Sequence, residues 1–502
     1  MDFVAICLSI LFWLIRPQDW MSGMSGVGFM TWIMLAAIIG VAKKHDGMSL
    51  NSFFRSPTDW LVAAYLLWII WTTGDYFAMA KAMFPFAAFY YITTIALNSR
   101  ERLSTFISCW VAGLSVVAVF GLSTYYNFEL APGSAAMTAE FLGRLTLNTW
   151  LYNNPNSLGH GVVAVIPLAY IWLIWKRPVP LRLLGFAIIW VAAECVYQTQ
   201  SKGAYICGAA AVTVSLIFRK PKVVQLFTLL VIMTMGVAAL KMLPRMETLD
   251  DKEAGISGRL IIWQMAHNAM TSTFTGEGWK KFEAWVDTED YGLIRKATHG
   301  SYVNVGADLG FVGLFFFVAI FYANGRTLFQ ARPDPEDEMM ERSQRALLSL
   351  TTSFAASAWM IDRAYHTDYF LLAGAVAAFH RLLTGRRTGI EEEEAEPEPE
   401  VRPAPAAALQ WLAMGIPVMA GAGAAATLPE RSWSSTAVAA SAPDEQKEDA
   451  KIGAEDGDDE GTGPVVAMPW QRLSVTDLIM CLAALGVVLY IWERIMTNFI
   501  AF

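Results

Sequence analysis

The chain is 502 residues long, 55% hydrophobic and only 16% charged, with 19 tryptophans and a formal charge of −8. Soluble domains average roughly 25% charged residues, so this composition excludes an ordinary soluble globule. The acidity belongs to one segment: residues 391–460 carry 17 Asp/Glu against 4 Lys/Arg, and the rest of the chain is left at +5.

A hydrocarbon core about 30 Å thick takes a helix of roughly 20 mostly apolar residues. Such runs are predicted at 3–15, 27–41, 60–71, 77–97, 103–122, 159–175, 181–197, 203–218, 223–243, 301–322, 346–360 and 365–383. The expected fold class is therefore an all-α polytopic integral membrane protein with about twelve core helices. The first run lacks a basic leader and a small-residue cleavage site, so it reads as an uncleaved span. Lys43, Lys44, Arg55, Arg100, Arg102, Lys176, Arg177, Arg182, Arg219, Lys220 and Lys222 fall in alternate loops, as do Arg326, Arg332, Arg342, Arg345, Arg381, Arg386 and Arg387. By the positive-inside rule those loops are cytoplasmic, and the long loops 123–158 and 244–300 face the other side. In a bacterial inner membrane that side is the periplasm.

The expected organisation is a membrane core over 1–383, with 244–300 as its large outer loop, followed by an acidic Pro/Ala-rich low-complexity segment over 384–473 and one more span over 474–502. Runs such as EEEEAEPEPE (391–400) bury too little apolar surface to fold. A moderately apolar stretch, 406–428, interrupts that segment, and whether it inserts decides the side on which the chain ends.

Several chemistries drop out. Cys7, Cys109, Cys195, Cys207 and Cys481 lie inside apolar runs without Cys-x-x-Cys spacing or a histidine cluster, which argues against a disulfide framework, a zinc site or a cysteine nucleophile. Neither a phosphate-binding glycine loop nor a dinucleotide fingerprint is present, and no basic stripe offers itself to nucleic acid.

The informative residues are bases on the outer side and ionisable groups at membrane depth, because both resist the bulk trend. Arg144 lies in the first long loop, Lys202 in QTQSKG (198–203), Arg259 in the second long loop and Arg363 in the turn DRAYH (362–366). Together they point to an anionic ligand, although each has the alternative of pairing or snorkelling at a helix end; for Arg363, Asp362 is the adjacent partner. Lys202 opens a helix, whose N-terminus itself attracts anions. Glu194, two turns earlier, either pairs with a base or shapes the same site. His299 precedes a helix, and a neutral imidazole there can accept a proton; a capping or packed histidine is the alternative. Asn304 and Asp308 share a helix face, so a polar stripe is expected to descend into the membrane below His299.

The order of LPRMET (243–248), GISGRLIIW (255–263), TGEGWKKF (275–282) and THGSYVNVGADLGFVG (298–313) resembles the signature region of the O-antigen ligase and polymerase superfamily. The wording is most similar to the O-glycosylation ligases associated with the exosortase system. QTQSKGA (198–204) and NNPNSLG (153–159) fall where that group has matching motifs. The resemblance covers about 123–322 in motifs and 1–383 in architecture. It implies a membrane-embedded, metal- and nucleotide-independent glycosyltransferase with a periplasmic active site. Such an enzyme moves a glycan from an undecaprenyl-diphosphate carrier to lipid A core, protein or a growing glycan.

Carried over by residue, His299 matches the loop histidine, Arg259 the arginine before the tryptophan, and Lys202 a position usually held by arginine. Lysine gives a point charge in place of a bidentate fork. Gly300 replaces the usual polar residue after the histidine, while the spacing to Gly310 and Gly313 is kept. In this reading Arg259 and Lys202 hold the donor diphosphate, His299 is catalytic, and Asn304, Asp308, Arg363, Glu194 and Arg144 support them; no metal or cofactor is expected. A repeat-unit polymerase is the alternative, and a non-enzymatic transporter or flippase of the lipid-linked glycan a second. Transporters commonly show internal repeats and broken mid-membrane helices; here no convincing repeat is seen and the candidate polar groups cluster toward the outer side.

Overall fold

A computed structural model describes residues 1–21, 23–44, 53–130, 134–242, 254–288, 292–385 and 468–500. Residues Met1–Gly389 and Val466–Phe502 form one compact unit. The stretch 386–467, which includes the apolar run 406–428 and nearly all of the low-complexity segment, lies outside the described residues.

The helices are α1 (Asp2–Ile15), α2 (Pro17–Trp20), α3 (Phe29–Lys44), α4 (Pro57–Thr73), α5 (Tyr76–Ala96), α6 (Arg100–Tyr125), α7 (Pro155–Val162), α8 (Val165–Ala169), α9 (Val179–Thr199), α10 (Lys202–Ile217), α11 (Lys222–Met242), α12 (Ala254–Ser272), α13 (Ser301–Gln330), α14 (Glu338–Ser357), α15 (Thr367–Gly385) and α16 (Val475–Ile500). Two antiparallel hairpins complete the set, β1 (Thr138–Phe141) with β2 (Arg144–Leu147) and β3 (Ala284–Thr288) with β4 (Gly292–Lys296). Helices lie at the expected runs, but the run at 159–175 is divided among α7, α8 and a π-helical segment, Tyr170–Ile174, and the run at 301–322 is bent at Gly310. Among the described residues, 100–125, 155–174, 179–199, 301–330 and 475–497 are long and apolar enough to cross a membrane, and shorter apolar helices stand beside them. The chain is a mainly helical membrane protein.

The two ends of the bundle differ chemically. At one end, Arg100 bonds Asp337, Lys176 approaches Glu338 and Glu341, Arg381 pairs with the buried Asp59, and Arg219 donates to the Ala331 carbonyl. The bases read as topogenic collect here. At the other end, the starts of α7, α10 and α13 meet the ends of α9 and α14. This is the site end.

Two features of the site end depart from a simple outer loop. The stretch 244–300 contains α12, which packs against α13: the Trp263 indole donates to the Thr298 carbonyl at 2.9 Å, and Glu277 N and Gly278 N donate to the carbonyls of Ala307 and Asp308 at 3.0 and 2.7 Å. Second, α13 folds back on itself at Gly310, where φ is 65° and ψ −167°. A straight helix would separate Tyr302 from Phe321 by about 28 Å of rise, yet their rings lie 6.3 Å apart and Tyr302 also meets Phe317 at 5.6 Å. Only glycine fits at this bend, because a Cβ there would sit 2.3 Å from the Phe274 carbonyl oxygen. The fold-back returns Ser301 to the end of α14 instead of leaving it at the far tip of a 30-residue rod.

The C-terminal helix α16 joins the same unit. Asp477 is buried and pairs with Arg326, while also accepting from Tyr322, Trp470 and Ser474. Farther along, Trp492 lies against Gly306 and 5.7 Å from the His267 ring.

Candidate active site

His299 occupies left-handed backbone, φ 50°, a region that costs a side-chain-bearing residue on the order of 1–2 kcal/mol. Its neighbours enforce this. On one side the Trp263 indole fixes the Thr298 carbonyl. On the other, Ser301 N donates to the carbonyls of Ala358 at 2.6 Å and Ile361 at 3.2 Å. The Ser301 hydroxyl donates to the Ile361 carbonyl at 2.8 Å and accepts from Arg363 N at 2.9 Å. The imidazole is half-buried. Burial, reinforced by the Arg259 guanidinium, holds its pKa down at about 4, so it is neutral at neutral pH.

Arg259, in the second turn of α12, exerts its charge on His299 and also on His160 of α7. His160 is buried, 3% exposed, and its Nδ1 lies 2.9 Å from the Ser357 hydroxyl. Gly203 packs directly on it; a Cβ at that position would stand 2.8 Å from His160 Nε2. Lys202 precedes that glycine at the start of α10, where Ser201 caps the helix by accepting from Ala204 N. A space of about 20 Å³ beside His160, Ser301, Ser357, Arg363 and Asp368 has room for about one water.

The other sequence-singled bases hold the scaffold. Arg144, at the start of β2, donates to the Thr199 carbonyl at 2.8 Å and to Asn156 Oδ1 at 3.0 Å. Asn156 also accepts from the Ser201 hydroxyl at 3.0 Å, so one arginine ties the end of α9, the start of α7 and the cap of α10 together. Arg363 does not take the neighbouring Asp362 as its partner: its guanidinium approaches Asp368 at 3.8 Å and donates to the Ser157 carbonyl at 3.2 Å. Sequence adjacency misled here because the turn after α14 aims the two side chains apart.

Asn304 and Asp308 do share a face and are hydrogen-bonded at 3.1 Å. The stripe ends at the Gly310 bend, however, and Asp308 is fully buried, accepting from Tyr365 OH and Phe282 N, each at 3.1 Å. It clamps the strand leaving α12 to the start of α13. Asp362, exposed to solvent, lies close by. His366, half-buried under Trp13 and Trp150, is held down at about 3 by burial and then by Arg363, Lys280 and Arg16.

Beside Lys202 an apolar groove of about 550 Å³ runs between α9 and α10, floored by Val163 and Ile166 and flanked by Trp190 and Tyr205. Glu194 lines it near the site end. Among the described residues Glu194 accepts from Tyr126 OH at 2.8 Å and Gln198 at 2.7 Å, both neutral groups.

The structure thus gathers His299, Arg259 and, through Gly203, the start of α10 around His160. It sets Arg144, Asp308 and Arg363 one layer behind. The sequence reading did not single out His160, placed only near a helix start, or His366, which ends the DRAYH turn. Their only sequence signal was a titratable ring at a helix start on the outer side.

No curated protein matches the chain. The family model described as O-Antigen ligase matches residues 187–318, a stretch that holds Glu194, Lys202, Arg259, His299, Asn304 and Asp308. That segment, about a quarter of the chain, is similar to the O-antigen ligase family.

Proposed function

We propose that the protein transfers a glycan from an undecaprenyl-diphosphate carrier to a hydroxyl acceptor on the periplasmic face of a bacterial inner membrane. The observation that carries this reading is His299, neutral and locked on left-handed backbone within the field of Arg259. The polyprenyl tail lies in the α9–α10 groove, which is lined by exposed aromatic side chains such as Trp190 and Tyr197. Arg259 and Lys202 hold the diphosphate.

In the reaction the acceptor oxygen forms a bond to the anomeric carbon while the bond from that carbon to the diphosphate oxygen breaks. The departing electron pair and its negative charge go to the diphosphate, which the two cations stabilise most strongly as that charge develops. The hydroxyl proton passes to His299. An unliganded pKa of about 4 makes a weak base, but a bound diphosphate offsets the Arg259 charge and raises it, so the donor itself activates the histidine. A single displacement inverts the anomeric centre.

The acceptor is lipid A core or protein in a ligase, and another glycan in a polymerase. A deletion strain separates the two: accumulation of full-length carrier-bound polymer marks a lost ligase, and single unextended repeats a lost polymerase. His299→Ala and Arg259→Ala abolish transfer without loss of the folded protein in the membrane; normal transfer by either overturns the residue assignment.

A further inference from the structure

A further cavity of about 440 Å³ opens against Thr298, within the range of small-molecule sites, about 300–1,000 Å³. Its described lining carries three bases, Lys280, Arg295 and Lys296, against one carboxylate, Asp362. Arg295 is partly engaged by Glu283 at 3.0 Å on the rim, and the Lys280 ammonium lies over the Trp279 ring at 4.6 Å. Thr298 supplies a second kind of signal. It is 4% exposed, its hydroxyl has no hydrogen-bond partner among the described residues, and it forms part of the cavity wall. A buried hydroxyl left so destabilises the fold unless a ligand or water meets it. Asn304 and Tyr365 add further polar groups.

The cavity touches the catalytic side at two points. Thr298 is bonded in sequence to His299, and a Cβ built on Gly258, the neighbour of Arg259, would lie 3.8 Å from Lys296 Nζ. Cationic, polar-walled and adjacent to the base, the space is unlike the apolar groove of the donor tail.

We infer that this cavity is an acceptor subsite that receives an anionic sugar, whose phosphate or carboxylate meets Lys280, Lys296 and Arg295 while its ring hydroxyls meet Thr298 and Asn304. The inference rests on the transfer reading above for the word acceptor, but not for the binding itself. A lipid-linked donor would enter past Lys202, and an acceptor bound here would present its hydroxyl to His299.

Calorimetric titration of the full-length protein in detergent with glucose 6-phosphate, glucuronate, glucose and inorganic phosphate reads the subsite directly. The expected result is binding of an anionic sugar at least tenfold tighter than glucose or inorganic phosphate. Preference for glucose 6-phosphate identifies a phosphorylated acceptor, and preference for glucuronate a uronate-bearing one. Lys280→Gln with Lys296→Gln weakens that binding by tenfold or more and leaves farnesyl diphosphate binding unchanged. Arg295→Gln, at a half-exposed position where folding is not at stake, weakens it by a smaller factor. Equal binding of glucose, equal binding of inorganic phosphate, or variants that bind the anionic sugar as wild type does would overturn the proposal. Loss of farnesyl diphosphate binding in the double variant would assign the cavity to the donor instead and overturn it as well. His299→Ala keeps anionic-sugar binding, so normal transfer by that variant would remove the transfer reading while leaving the subsite standing.

Discussion

The protonation of His299 should depend on its surroundings in a way that can be read at one residue. Burial is the larger cause of its low pKa and the Arg259 charge the smaller. With a pKa of about 4, about nine-tenths of His299 is neutral at pH 5, against about 3% of an unperturbed imidazole at 6.5. Carbethoxylation by diethyl pyrocarbonate attacks only neutral imidazole, and peptide mass spectrometry resolves it by residue. At pH 5, His299 of the unliganded protein should keep most of its pH 7 reactivity, about twentyfold more than a free imidazole keeps. Arg259→Gln removes one cause, so the midpoint moves up but stays below 6.5, because burial remains. The sign for stability follows: between about 4 and 6.5 the unfolded chain binds a proton that folded His299 refuses, so this group costs stability as pH falls through that window and costs nothing above it. Farnesyl diphosphate, seated on Arg259, moves the midpoint up as well. A His299 midpoint at or above 6.5 in the unliganded protein, or one indifferent to Arg259→Gln, would refute the electrostatic reasoning.

Three further outcomes follow from the geometry. Gly310→Ala places a Cβ against the Phe274 carbonyl at a backbone angle that alanine resists; the expected loss is about 3 kcal/mol or more, read as a fall in folded yield and melting temperature in detergent. Asp477→Ala strands Arg326, Tyr322 and Trp470 at the base of α16. Loss of one partner of such a buried pair costs about 3–5 kcal/mol, and limited proteolysis should then release the C-terminal helix, whereas wild type retains it. Lys202→Ala should raise the donor KM about tenfold, equal to about 1.4 kcal/mol, with folding intact, and Lys202→Arg should restore it.

The mainly helical, apolar character was legible because hydropathy reports what a membrane demands of a helix, although α14 starts earlier, at Glu338, and the runs at 159–175 and 301–322 are each broken. Arg259 and His299 were legible as bases and rings out of keeping with their side of the membrane. Three features were not. The fold-back at Gly310 is hidden in an apolar run whose composition is that of one uninterrupted span; only a tertiary contact with Phe274 and Gly276 requires it. The helix α12 reads as part of an outer loop because its hydropathy is modest, yet Trp263 and Met270 bury it against α13. Arg144 looked like a ligand-seeking cation, but its two acceptors, Thr199 and Asn156, lie 55 and 12 residues away, a relation that pattern reading does not reach. Arg363 shows the converse error, since a neighbouring carboxylate in sequence was not the partner in space.

The central claim is that His299 takes the acceptor proton in glycan transfer. The most direct measurement is transfer by purified His299→Ala in liposomes, supplied with an undecaprenyl-diphosphate-linked glycan and an acceptor, beside wild type. The expected result is no detectable product from a variant that melts as wild type does and still binds farnesyl diphosphate. Product formation at the wild-type rate would contradict it.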